Sequence, residues 1–325
     1  MMEKEKEGER SGPTSCDADI SVLPEECISN IVSLTSPKDA CTACAISPIF
    51  RAAAESNVVW KRFLPSDYQA IIARSSTSLD SLNFSSKKQL YLSLSDNPIL
   101  IDDNKKSFFL DKLSGKKCYL LSARDLSIAS GHNNMHWLWF PLAESRFRKV
   151  AELHHVRLFD ICGKMNTSML SPKTNYVAYL VYKLRRKTHG FHRFPPMASV
   201  GTTEGVEDCK QTVCLSRPKR EPRKQNPLLP KWRKDGWFES KLGEYFNEGG
   251  ENDELQIRLM EVEAGTVKSG LIVEGIEIRP TKEKRYGWLE IELGEFFNEG
   301  REDDGLRISL KEAEPGRWKA GLVVE

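Results

Sequence analysis

The chain lacks a long apolar run, and its charge is almost balanced. No stretch approaches the ~20 residues of a membrane-spanning helix, and segment 1–10 has no apolar core of the kind a signal peptide carries. The 48 Lys and Arg residues against 46 Asp and Glu residues leave a formal net charge of +2. This excludes a strong field for nucleic acid or an anionic membrane surface. We therefore expect a protein of the cytoplasm, the nucleus or both, with no nucleic-acid or membrane partner.

Recognisable catalytic motifs are also missing from the sequence. It contains no Gly-rich phosphate loop, nucleophile elbow or paired-carboxylate motif. Cys41 and Cys44 have the spacing of half a zinc site, but no second pair lies at ligand distance along the chain. The eight cysteines are scattered and are expected to be free thiols. These absences predict a non-catalytic protein with neither cofactor nor metal.

The first third of the chain shows helical punctuation. Residues 1–20 are polar and unpatterned, which predicts a disordered tail. Residues 21–65 predict four short helices, with starts at Pro24, at Ser36-Pro37, at Ser47-Pro48 and at Asn57. Residues 66–104 predict a helical linker. So small a bundle buries little apolar surface alone, so part of its apolar face is expected to belong to a partner.

From residue 105 the pattern changes to short runs of β-branched and aromatic residues. Examples are Trp137-Leu-Trp-Phe and Tyr176-Val-Ala-Tyr-Leu-Val-Tyr. The pattern predicts an antiparallel sandwich or barrel over 105–280, interrupted by a long basic loop at 201–234. Within that loop, 217–224 has the composition of a nuclear-import signal, although a solvated basic loop is the favoured interpretation.

A segment of the sandwich is repeated near the C-terminus. Residues 236–274 match 287–325 at a constant offset of 51, with 23 of 39 positions identical. One sandwich has one place for such a unit, so one copy is expected to be surplus. The first copy continues into an alternating strand at 275–280, which favours it as the integrated copy. The second copy carries Trp288 and Trp318, so the opposite assignment stays open, and 281–325 is interpreted as a partial duplicate.

Specific motifs resemble those of a known family. Leu23-Pro-Glu-Glu-Cys-Ile, Ser36-Pro-Lys-Asp-Ala-Cys and Val59-Trp60 resemble an F-box. Segments 115–119, 122–128, 174–184 and 268–280 are similar to plant F-box proteins of the phloem protein 2 type, also called Nictaba-like lectins. The resemblance implies an α+β multidomain protein, with a small N-terminal helical F-box followed by an antiparallel β-sandwich, lectin-like and of the jelly-roll type.

The resemblance also implies function. An F-box docks on a Skp-type adaptor, and through it on a cullin scaffold, which makes the chain the substrate-recognition subunit of a ubiquitin ligase. The implied adaptor-binding residues are Leu23, Pro24, Ile28, Ile31, Leu34 and Pro37, with Trp60 as a packing anchor. The implied carbohydrate-binding residues are Trp137, Phe246, Asn247 and Glu254, and Trp137 has a place in the core as its alternative role. A free carbohydrate-binding lectin with a vestigial F-box is the alternative function.

Overall fold

The computed structural model describes residues 23–76, 84–191, 195–202, 210–216, 229–250, 252–261 and 267–281. All of them belong to one compact unit that ends at Thr281. The predicted tail at 1–20 and the second repeat copy at 287–325 lie outside the described residues.

Short helices form the N-terminal part of this unit. They are α1 Glu25–Ser33, α2 Pro37–Ala43, α3 Pro48–Glu55, α4 Asn57–Phe63, α5 Tyr68–Ala73 and α6 Lys87–Asp96. The predicted starts at Ser36 and Ser47 are confirmed, because each hydroxyl accepts the backbone N–H of the residue three positions later. The fourth helix is capped by Ser56, whose hydroxyl accepts the Val58 N–H at 3.3 Å, and not by the predicted Asn57.

Two antiparallel sheets follow the helices. The larger contains β1 Ile99–Ile101, β2 Lys106–Leu110, β3 Lys117–Ser122, β5 Trp137–Phe140, β6 Val150–Leu153, β8 Thr174–His189, β11 Lys231–Trp232, β12 Phe238–Asn247 and β14 Ser269–Pro280. The smaller contains β4 Ser127–Ile128, β7 Asp160–Asn166, β9 Met197–Thr202, β10 Gln211–Thr212 and β13 Glu254–Met260. The order in the larger sheet is β1-β2-β3-β14-β8-β12-β11, with β6 also paired to β14 and β5 to β6. The order in the smaller sheet is β10-β9-β13-β7-β4. The predicted α+β architecture with an antiparallel body is thus confirmed.

The sheet begins earlier than predicted. β1 falls within 66–104, the segment expected to be a helical linker, and pairs with β2. The preceding helix, α6, ends before the Asn97-Pro98 turn. After that turn, Ile99 and Ile101 place β-branched side chains in the core.

The segment predicted as a long basic loop belongs in part to the sandwich. β9 extends to Thr202, and β10 pairs antiparallel with it. Val213 and Leu215 are buried in the main core, because alternate residues of an extended segment face the same side. The exposed-loop expectation is therefore wrong for these positions, and the basic stretch 217–224 lies outside the described residues.

Helices and sandwich share one continuous core. The rings of Trp60 in α4 and Tyr91 in α6 lie 5.1 Å apart between centroids, within the cluster that also fills the space between the sheets. Ion pairs cross the junction as well: Lys117 to Asp67 at 3.1 Å, Arg74 to Asp102 at 2.7 Å and Lys112 to Asp96 at 2.8 Å. The two parts are thus packed together rather than joined only by a linker.

The first repeat copy supplies strands to both sheets. β14 lies between β3 and β8, β12 pairs with β8, and β13 lies between β9 and β7. Trp237, at the start of the copy, is buried in a second, smaller cluster and donates its indole N–H to the Glu144 carbonyl at 3.2 Å. The location of the second copy stays a prediction.

Candidate functional site

The helical part displays large apolar side chains to solvent. Leu34 at the end of α1 is 68% exposed, and Ile31, nearly one turn earlier on the same face, is exposed as well. The exposed large apolar residues of this part are Leu23, Ile31, Leu34, Ile46, Ile49 and Val58. So many in one short segment are typical of a surface that binds a protein partner.

The predicted adaptor-binding residues divide into two groups. Leu23, Pro24, Ile31 and Leu34 are exposed, as a docking role requires. Ile28 is fully buried, because it lies on the opposite side of α1 and packs into the bundle.

Two further predicted residues also lie inside. Pro37 is buried at the start of α2, where it fixes the helix start. Trp60 is buried and donates its indole N–H to the Ala54 carbonyl at 2.7 Å, which suits the predicted packing anchor. The structure corrects Ile28, which supports the exposed surface from within instead of forming it. The adaptor-binding role of Pro37 stays a prediction, because this residue is buried at the helix start yet lines a cavity beside α2.

Trp137 does not present a face to a sugar. It is 1% exposed and packs in the main core. Its indole N–H donates to the Ala129 carbonyl at 3.2 Å. A pyranose stacks on an open aromatic face, so the prediction of Trp137 as a carbohydrate-binding residue is corrected, and its alternative role in the core applies.

Phe246 and Asn247, predicted in a loop, are the last residues of β12 and point to opposite sides. Phe246 is 44% exposed, whereas Asn247 is buried. The Asn247 amide nitrogen donates to the Thr167 carbonyl at 3.3 Å and to the Ser171 carbonyl at 3.0 Å. Those bonds use both amide hydrogens, so Asn247 holds the segment 167–171 in place and its amide nitrogen has no hydrogen left for a ligand.

Glu254 begins β13, exposed to solvent, opposite Asn166 of β7. Its carboxylate accepts hydrogen bonds from Lys164 at 2.7 Å and from Gln256 at 3.2 Å. The hydrogen bond from Lys164 holds the pKa of Glu254 below its usual value. The charged acceptor that the sequence predicted is present, although it already has a cationic partner.

The four predicted carbohydrate-binding residues do not form one site. Trp137 lies opposite Leu153 of β6, and β6 pairs with β14 around Ile272. Phe246 lies opposite Asn175 of β8, which is next to the residue that pairs with Pro280 of β14. At about 3.3 Å per residue, these two ends of β14 are roughly 25 Å apart. Phe246 and Glu254 lie at the same end, and Trp137 lies at the other.

An aromatic residue that was not predicted lies beside Trp137. Trp139 is half-buried and donates its indole N–H to the Gly131 carbonyl at 2.8 Å. The exposed Arg124 guanidinium lies 3.7 Å from the centre of its ring, a cation–π contact that covers one face. The signal available in the sequence was the second tryptophan itself, two residues from the first and therefore on the same side of the strand.

The described part of the chain offers neither a metal-binding cluster nor a membrane-spanning helix. Among the described residues, no group of three or more His, Cys, Asp and Glu side chains could hold a metal ion. No helix in that part of the chain is long and apolar enough to cross a membrane.

Family comparisons decide what kind of protein this is. The F-box domain model matches residues 20–62, and the phloem protein 2 model matches residues 116–280 and, separately, 281–325. The chain belongs to the phloem protein 2 family of F-box proteins. The separate second match falls on the second repeat copy, and neither model describes an enzyme.

Relatives in this family match most of the chain. The F-box protein PP2-B10 of Arabidopsis thaliana is 47% identical over 262 residues, which is 80% of this chain and 93% of that protein. The F-box protein SKIP3 of the same plant is 42% identical over 287 residues, 87% of this chain and 95% of the relative. Among solved structures, a family 35 carbohydrate-binding module from Clostridium thermocellum covers 50% of this chain and 96% of its own, at 11% identity and a TM-score of 0.29. Its ligand does not bear on this chain.

Proposed function

We propose that this protein is the substrate-recognition subunit of a cullin-type ubiquitin ligase and acts in the cytoplasm or nucleus. In this role its F-box holds a Skp-type adaptor, its sandwich captures the target, and other subunits transfer ubiquitin. The observation that carries the proposal is the exposure of Ile31 and Leu34 on α1, within the segment that matches the F-box model. Complete burial of a fully exposed side chain of this kind is favourable by about 1.5–3 kcal/mol, and the partly exposed Ile31 and Leu34 offer a partner a fraction of that.

Leu34→Asp is expected to weaken adaptor binding by at least roughly tenfold, because it puts a charge into an apolar interface. The measurement is the dissociation constant of the full chain for a purified Skp-type adaptor by calorimetry. The matched control is Leu158→Asp, the same change at a leucine of the sandwich that is 61% exposed. Equal affinities of wild type, Leu34→Asp and Ile31→Asp would argue against adaptor docking through α1.

For target capture we propose the Phe246 end of the sandwich. It carries an exposed aromatic side chain, the kind of surface on which a pyranose stacks. Binding of N-acetylglucosamine oligosaccharides on a glycan array, weakened by Phe246→Ala, supports a glycoprotein target. If wild type binds no glycan, the target is recognised as a protein surface. Glycan binding without adaptor binding supports the alternative, a lectin with a vestigial F-box.

A further inference from the structure

A cavity of about 320 Å³ opens where the helices meet the sandwich. The buried aromatic side chains of Trp60 and Tyr91 line it. One side comes from α2, with Lys38 and Cys41, and the other from the turn between β2 and β3, with Lys112 and Leu113. A cavity of this size takes one bulky apolar group, and it exists only because the F-box helices and the sandwich are packed together.

The turn that completes the cavity is fixed in position. The Tyr91 hydroxyl lies 3.0 Å from the Asp111 carbonyl and 3.2 Å from the Lys112 carbonyl, so it donates to the turn from below. Gly115 has φ +71°, and a Cβ there would lie 2.9 Å from the Phe63 carbonyl oxygen. The turn after β2 therefore lies close against the backbone of α4, and it meets α6 through the Tyr91 side chain. A wall held in this way needs little ordering when a partner binds.

The mouth of the cavity combines apolar surface with positive charge. Leu113 is 53% exposed, an unusual position for a leucine at the tip of a polar turn. Lys38 and Lys112 flank it from opposite sides. Lys112 is paired with Asp96 at 2.8 Å, whereas no carboxylate of the described residues forms an ion pair with Lys38. A matching ligand therefore presents an apolar side chain with a carboxylate beside it.

We propose that the cavity receives an apolar side chain from an acidic segment of the Skp-type adaptor, so that the adaptor interface continues from α1 across α2 onto the sandwich. The inference rests on the proposed function and adds a contact surface outside the F-box. Continuity supports this occupant, because Leu34 directly follows α1 and Pro37, which begins α2, lines the cavity. Charge supports it as well, since Lys38 at the mouth is available to a carboxylate.

The decisive variant is Leu113→Asp in the full chain. It removes the apolar wall on the sandwich side and places a carboxylate where an acidic segment would bind. We expect the dissociation constant for the adaptor to rise roughly tenfold. Leu158→Asp, an equivalent change elsewhere on the sandwich, is expected to leave it unchanged. Circular dichroism and the thermal midpoint confirm that both variants fold, which the exposure of both leucines permits.

The charge part of the inference has its own test. Lys38→Glu is expected to weaken adaptor binding roughly fivefold at low salt and less at high salt, because ion screening removes attraction and repulsion alike.

The adaptor affinities of the wild type and the three variants give three distinguishable results. If wild type fails to bind adaptor, the proposed function fails. If Leu34→Asp weakens binding but Leu113→Asp and Lys38→Glu match wild type, the adaptor interface ends at the F-box and this inference is wrong. If all three variants weaken binding, the extended interface stands.

Discussion

Lys268→Met is expected to lower the free energy of unfolding by about 3–5 kcal/mol, because it breaks a buried ion pair and leaves one partner uncompensated. The Lys268 ammonium lies 2.7 Å from a Glu261 carboxylate oxygen, with 0% and 2% of the two side chains exposed. It also donates to the Gly190 carbonyl at 3.1 Å. Without it, the Glu261 carboxylate stays in an environment that water does not reach. Chemical denaturation of the purified full chain measures the loss.

Two further variants test whether the loss comes from the unpaired charge and whether the first repeat copy is the integrated one. Glu261→Leu combined with Lys268→Met is expected to recover most of the loss, because removing both charges leaves neither unpaired. Lys319→Met makes the same change at the equivalent position of the second repeat copy, where Glu312 stands in place of Glu261. If the first copy is the integrated one, Lys319→Met shifts stability by less than about 0.5 kcal/mol. Equal losses for Lys268→Met and Lys319→Met would contradict that assignment.

The parts of the fold that were predicted depend on neighbours in sequence. Ser36 and Ser47 mark helix starts because a hydroxyl three residues before a backbone N–H satisfies it locally. The run 137–140 was recognised from composition as the strand β5, and the run 176–182 as part of β8, which extends seven residues further to His189. Val213 and Leu215 were missed, because only the pairing of the preceding β10 with β9 brings them into the core, and the segment around them is rich in polar and basic residues.

The candidate site was predicted less well, since a residue type does not reveal its burial. Ile28 and Ile31 are both isoleucines of one helix, yet packing buries one and leaves the other exposed. Asn247 suggested a ligand for sugar hydroxyls, but two backbone carbonyls distant in sequence use its amide. Neither partner could be known before the strands were placed. Phe246 and Glu254 are exposed, as a binding role requires, and their part in sugar recognition stays a prediction.

Trp137→Ala is expected to lower the free energy of unfolding by about 3–5 kcal/mol, the usual cost of removing a large aromatic side chain from a core. The side chain is 1% exposed, and its indole N–H donates to the Ala129 carbonyl at 3.2 Å. Its loss leaves a cavity against the main core and an unpaired carbonyl in the loop before β5. Thermal and chemical unfolding of the full chain measure the effect.

Leu138→Ala on the same strand is the matched control. Leu138 points to the opposite side and is exposed, so its truncation is expected to cost less than about 1 kcal/mol. If Trp137→Ala unfolds as the wild type does while abolishing glycan binding, Trp137 is a sugar contact and the core assignment is wrong. If it is strongly destabilised, lost glycan binding by that variant says nothing about contact, and Phe246→Ala, which keeps the core intact, becomes the variant that tests sugar recognition.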